Sequence, residues 1–201
     1  MKALPTQERA QKKRQAILDA AQLEFTEKDY EKTTAKSITA RAGVATGTFY
    51  QYFTNKEEVL LVLTQARFDY LQESIIQPDI NTLHASDHTD IRELFKIVVI
   101  LIYEFHENDP GFHQVLEHRR SMDSALNTLI EKGESVLMDR TKQFVCMFNC
   151  KDPDTIAFCL FAMAEGLVHR HVFTPSNVTK SEVIDLGVEL LSSYFEKLNN
   201  K

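Results

Sequence analysis

Thr46, Thr48, Tyr50 and Gln51, with Gly47 among them, crowd into one short stretch of the chain. Their chemistry is recognition rather than bond breaking. Hydroxyl and carboxamide groups donate and accept hydrogen bonds, and they stand beside a residue with no side chain. The DNA major groove shows a distinct donor and acceptor pattern for each base pair, and a carboxamide such as that of Gln51 can engage adenine with two bonds at once. A helix that enters the groove needs little bulk near its backbone and polar groups at its tip. This stretch supplies both.

Such a surface needs a frame. From Thr33 to Phe53 the sequence predicts two short helices that meet at a glycine. A hydroxyl at Thr33 or Thr34 caps the first, which reaches about Ala42. Gly43 takes the positive φ of a sharp helix stop. The second runs from about Ala45 to Tyr52. Ile38, Ala42, Val44, Phe49 and Phe53 are spaced to bury together, so Phe49 and Phe53 are core and Tyr50 is shared between core and surface. Asn55 opens the next helix, with Glu58 three residues on in a capping-box-like pair, and this helix continues to a break near Pro78. Before the frame, a helix from about Gln7 to Lys28 places Ile17, Ala21 and Phe25 on one face. The basic run Lys12-Lys13-Arg14 near its start opposes the helix dipole. It reads either as a solvated face or as a phosphate-facing turn.

Charge supports an anionic partner for this end. The chain of 201 residues carries a net −6. Residues 1–56 hold ten Lys and Arg against six acids, a net +4 that leaves −10 for the rest. A basic quarter on an acidic body is built to meet an anion on one surface.

The stretch from about Gln15 to Leu61 resembles the TetR family of bacterial transcription regulators. The residues that carry the likeness are Ile17, Ala20-Ala21, Phe25, Tyr30, Thr33-Thr34, Ile38, Ala42-Gly43-Val44, Gly47-Thr48-Phe49-Tyr50, Tyr52-Phe53, Lys56, Glu57 and Leu60. The resemblance implies that Thr46, Gly47 and Tyr50 face base edges, with Thr48 and Gln51 alongside. It implies that Thr34, Tyr52 and Lys56 hold phosphates, with Lys36 and Arg41 as secondary candidates. Two positions depart from the family pattern. Thr39 stands where alanine is usual, so its hydroxyl must find a partner such as the carbonyl of Ala35. Asp29 stands where glycine usually precedes Tyr30.

Gly and Pro are scarce, 6 and 5 in the whole chain, and apolar residues recur at helical spacing. The expected fold class is all-α. Further helices are expected over about Asp90–Glu107, Pro110–Arg120, Ser121–Phe148, Asp152–Arg170 and Thr179–Asn199, with a polar loop from Asn81 to Asp90. The expected division is a DNA-binding domain over 1–55 and a ligand-binding and dimerisation domain over 56–201. The resemblance implies that the last two long helices pair with their copies in a homodimer. The composition agrees: Ile156, Leu160, Met163 and Leu167 read as one stripe, and Val183, Gly187, Leu190, Leu191, Tyr194 and Leu198 as another. Phe95, Tyr103, Phe112, His113, Phe144, Phe148 and Phe161 are the candidate lining of a small-molecule pocket. Arg119 and Arg120 either neutralise an anionic ligand or pair with acids.

Cys146, Cys150 and Cys159 form no CxxC pair and read as reduced thiols. No uninterrupted apolar run approaches the roughly 20 residues of a membrane span, and the start of the chain lacks the apolar run of a secretory signal. A cytoplasmic protein without cofactor or metal is expected. No nucleophile–base motif or phosphate loop suggests an enzyme. With the resemblance, the expectation is a repressor that leaves a palindromic operator when a small, largely apolar ligand binds. The alternatives are an activator, a regulator controlled by a protein partner, or a metal or redox sensor that uses the histidines and cysteines of the body.

Overall fold

The computed structural model describes residues 8–75, 88–148 and 150–199. These residues form helices and no strand. They are α1 (Glu8–Lys28), α2 (Ala35–Arg41), α3 (Thr46–Tyr52), α4 (Lys56–Ser74), α5 (His88–Glu107), α6 (Pro110–Arg120), α7 (Ser124–Cys146), α8 (Pro153–Phe173) and α9 (Lys180–Asn199). The expected helices are all present, with ends within a few residues. The break near Pro78 and most of the loop expected over Asn81–Asp90 lie outside the described residues, and α5 begins at His88.

Local chemistry sets the ends. Asn55 Oδ1 accepts from the backbone of Glu58 at 2.8 Å, and the Glu58 carboxylate accepts from the N–H of Thr54 at 2.7 Å. Two donors left over at the start of α4 are thus satisfied. Asp152 caps α8 by accepting from Thr155 N at 3.2 Å, with Pro153 following in the first turn, where its missing N–H costs nothing.

The helices gather into two compact units, one of residues up to Phe68 with Gly111–Glu131, the other of Asp69–Pro110 with Lys132–Lys201. In the first unit α1 packs on α2, and α2 on α3. Its buried residues include Ile17, Ala21, Phe25, Ile38, Phe49, Phe53 and Leu60, with Phe112 and Leu116 from α6. In the second unit α5 packs on α8 and α9, and α8 on α9. Gly187 permits the last contact, since a Cβ there would stand 2.6 Å from Leu167 Cδ2.

The apolar stripe expected on α8 is divided. Leu160 joins Ala157, Ala164 and Val168 on the buried face, whereas Met163 lies with Phe158, Cys159, Ala162 and Gly166 on the exposed one. Apolar spacing marks positions, but not which of two apolar faces the core takes. The same duality makes Pro153–Phe173 apolar enough, at mean hydropathy 1.3, to suit a membrane by length and composition, although its uninterrupted apolar run spans only Ile156 to Ala164.

Candidate nucleic-acid interface

Thr34 and Thr33 divide the work at the start of α2. The Thr34 hydroxyl accepts from Ser37 N and the Ser37 hydroxyl oxygen accepts from Thr34 N, each at 3.1 Å, a reciprocal cap. Thr33 is buried and donates to the carbonyls of Glu24 and Asp29 at 3.0 and 2.9 Å, which ties the turn to the end of α1. Gly43 has φ +67, as the helix stop requires. Asp29 has φ 80 and takes the left-handed turn that glycine takes most easily. Its carboxylate accepts from Glu31 N at 3.1 Å, the local bond that lets aspartate tolerate this conformation.

α3 turns its apolar side inward at Phe49, which stacks on Phe53 with ring centroids 5.8 Å apart. Its other side is bare. Thr46, Gly47 and Gln51 are exposed, Tyr50 is 54% exposed, and Thr48 and Tyr52 are half-buried. An added Cβ at Gly47 would meet nothing within 4 Å among the described residues. Thr39 on α2 donates to the Ala35 carbonyl at 2.8 Å, the partner its sequence position suggests, and its oxygen lies 3.4 Å from Thr46 Oγ1.

The flanking cations differ in what holds them. Thr34 and Lys36 are exposed at the start of α2. Lys56 is half-buried: its ammonium donates to the carbonyls of Tyr30 and Glu31 at 2.7 and 3.4 Å and sits 4.3 Å from the Tyr30 ring centre. Arg41 bonds Glu24 at 2.7 Å through Nε and also pairs with Glu27, so it clamps α2 to α1. Arg14 lies over the Phe53 ring at 5.1 Å, and Lys12 pairs with Glu8 at 2.7 Å.

One feature of this unit was not singled out from sequence. Glu24 is 1% exposed and holds both Arg41 and Lys28. Burial alone would raise its carboxyl pKa, but bonds from Lys28, Ser37 and Arg41 outweigh that and hold it below the ordinary 4.5. Its signal was an acid on the apolar face of α1. Of the two readings open for Arg119, the structure shows the pairing with an acid: its guanidinium bonds Glu31 at 2.5 Å and lies 4.6 Å from the Tyr30 ring centre. Tyr30 thus lies near two cations and donates to Glu57 at 3.2 Å; burial and that carboxylate push its pKa upward. Arg120 donates to Asn127 at 3.1 Å.

The candidate ligand residues fall in both units. Phe112 and His113 are buried in the first. Phe95, Tyr103, Phe144, Phe148 and Phe161 belong to the second. There Phe95, Phe144 and Phe148 surround Phe195, which sequence reasoning passed over, at centroid distances of 5.8, 5.4 and 4.6 Å. Tyr103 is fully buried, and its hydroxyl has no hydrogen-bond partner among the described residues. A separate open depression of about 630 Å³ in the first unit is lined by Glu117, Arg120, Ser121, Met122, Ser124 and Asn127; of these only Arg120 was a candidate to meet a ligand, and none belongs to the expected aromatic lining. Among the described residues no group of three His, Cys, Asp or Glu side chains could hold a metal ion.

Comparison with known proteins bears on this geometry. Residues 17–63 match the model of the bacterial regulatory proteins of the tetR family. The HTH-type transcriptional regulator TtgR of Pseudomonas putida is 25% identical over 92% of this chain and 94% of its own. The nucleoid occlusion factor SlmA of Klebsiella pneumoniae is 26% identical over 80% of this chain and 83% of its own. The flavonoid-responsive regulator FrrA has the same fold, with TM-score 0.72 and 22% identity over 92% of this chain and 95% of that one. With its capped turn, buried Phe49 and bare polar face on α3, the stretch 17–63 is a helix-turn-helix domain of the tetR family, and the chain as a whole is similar to transcriptional regulators that carry it.

Proposed function

We propose that this regulator is a homodimeric repressor that holds a palindromic operator and releases it when a small, largely apolar ligand binds. The observation that carries the DNA reading is Gly47. Beyond its chain neighbours and the backbone of its own helix, no described atom stands within 4 Å of a Cβ placed there, so packing inside the protein does not require a glycine. Close approach of another molecule does. Around it Thr46, Thr48, Tyr50 and Gln51 read base edges, while Thr34, Lys36, Tyr52 and Lys56 hold phosphates. The first group sets sequence preference and the second sets register and general affinity.

The homodimer is supported by the unpaired faces of the last two helices. Phe158 is 63% exposed and Leu190 54%, in company with Met163, Leu186 and Tyr194. Gly166, on the same face of α8, has open space around its Cβ position, room for a second helix to come near. Two-fold symmetry then presents two copies of α3 to grooves about 34–36 Å apart. Operator reading is assigned to residues 1–55, and ligand binding and pairing to 56–201.

The ligand reading rests on the ring cluster about Phe195 and on the buried Tyr103 hydroxyl. A buried hydroxyl without a partner costs about 1–3 kcal/mol, a cost that a bound molecule with one polar group would remove. FrrA, a chain of this fold, is named for its response to flavonoids. Release requires that the ligand bind the DNA-holding and DNA-free states unequally.

The test uses the purified full chain and a duplex selected from a random library. Light scattering should give twice 23.1 kDa, and fluorescence anisotropy should show the duplex leaving when members of a panel of small apolar compounds are added. A monomeric mass would refute the dimer. Compounds that bind by calorimetry and leave the duplex in place would refute release.

A further inference from the structure

Thr39 is 1% exposed on α2, and its one hydroxyl proton is directed at backbone carbonyls, 2.8 Å from Ala35 O and 3.2 Å from Lys36 O. A threonine hydroxyl has a single donor and two acceptor lone pairs. With the proton spent, the oxygen offers only lone pairs to its third neighbour, Thr46 Oγ1 at 3.4 Å. In that contact Thr46 is therefore the donor. Its proton points back toward α2, and its own lone pairs face away from the protein at the first residue of α3.

We propose that Thr39 is a positioning residue that makes Thr46 an acceptor-only group toward DNA, so that each half-site holds one position demanding an amino-bearing base. In the major groove adenine N6 and cytosine N4 are donors, whereas guanine O6 and N7 and thymine O4 accept. A freely turning threonine serves both kinds, because it can offer its proton or a lone pair. Thr46 held by Thr39 satisfies adenine or cytosine and opposes the others. At 3.4 Å the restraint is longer than an ordinary hydroxyl bond. The expected discrimination is thus moderate, about three- to tenfold per half-site. The inference rests on Thr46 facing a base edge, the reading given above.

The experiment is selection of duplexes from a random double-stranded library by the full-length protein, followed by competition at every position of the selected site. Wild type, Thr39→Val, Thr39→Ser and Thr46→Val are compared, with thermal melting to confirm folding. Valine keeps the shape of Thr39 and removes the hydroxyl; serine keeps the hydroxyl. Wild type and Thr39→Ser should share one half-site position restricted to adenine or cytosine. Thr39→Val and Thr46→Val should lose that restriction there and keep the rest of the motif and the salt dependence. A purely structural role for Thr39 would instead weaken all positions together and overturn the proposal. So would a Thr39→Val motif identical to wild type while the wild-type motif itself is sharp. A wild type that enriches no sequence would overturn the operator reading and this inference with it.

Discussion

Replacing Gly47 by alanine adds one methyl group to a bare side of α3. Inside the protein that methyl meets nothing within 4 Å. Alanine is better than glycine within a helix by roughly 0.5–1 kcal/mol, and position 47, the second residue of a short helix, should realise the lower part of that range. For a chain of this size each kcal/mol moves Tm by about 2–4 °C, so the variant should melt about 1–2 °C higher than wild type. Against DNA the same methyl occupies space that the reading places at the groove. Overfilling a close contact costs about 1–3 kcal/mol, which lowers affinity by about five- to hundredfold at 1.4 kcal/mol per tenfold. Melting curves and anisotropy titration on a selected duplex measure the two effects separately. Unchanged DNA affinity would show that nothing approaches Gly47 closely. A lower Tm would show that the fold itself needs the glycine.

Other substitutions follow from the same geometry. Lys56→Ala should weaken binding to every duplex alike and reduce the salt slope by about one; because Lys56 also holds the Tyr30 and Glu31 carbonyls, it should lower Tm too, and a loss confined to one sequence would contradict the phosphate role. Glu24→Gln removes a buried charge from Arg41 and Lys28 and should cost about 1–3 kcal/mol at neutral pH by urea unfolding. Since the Glu24 pKa is lowered in the fold, its stabilisation is present above the ordinary 4.5 and is lost as pH falls through the folded value. Wild type should therefore lose stability on acidification more steeply than Glu24→Gln, and parallel pH profiles would refute the assignment. Leu190→Glu places a charge on an exposed face of α9 and should yield a folded monomer by light scattering, with helix content intact by circular dichroism; a mass unchanged from wild type would exclude that face from the dimer.

What the sequence made legible was local. The Thr34 cap, the turn at Gly43, the start of α4 at Asn55 and the Thr39 to Ala35 bond all join residues within one turn or two, where spacing and chemistry decide the outcome. Apolar periodicity likewise placed each described helix. The partners that escaped are distant along the chain. Glu24 meets Arg41 across the α1–α2 junction, and Arg119 reaches Tyr30 and Glu31 from α6. Nothing in the local pattern of either segment names the other. Phe195 was passed over for a related reason: as one more apolar residue on an apolar helix, it is marked as the centre of a ring cluster only by the packing of α5 and α9 and by Phe148. On α8 the spacing marked Leu160 and Met163 as one apolar stripe, and their division needed the neighbours that bury one and leave the other.

Hydroxyl-radical footprinting of the full-length protein on a duplex enriched from a random library tests the central claim most directly. A two-fold dimer reading DNA through α3 should protect two equivalent patches on one side of the duplex. Their centres should lie about one helical turn, 34–36 Å, or a multiple of it apart, each over one half of a palindrome, and with Gly47→Ala both should require about five- to hundredfold more protein to appear. A single patch, protection without sequence preference, or a Gly47→Ala footprint that appears at the same protein concentration as wild type would contradict it.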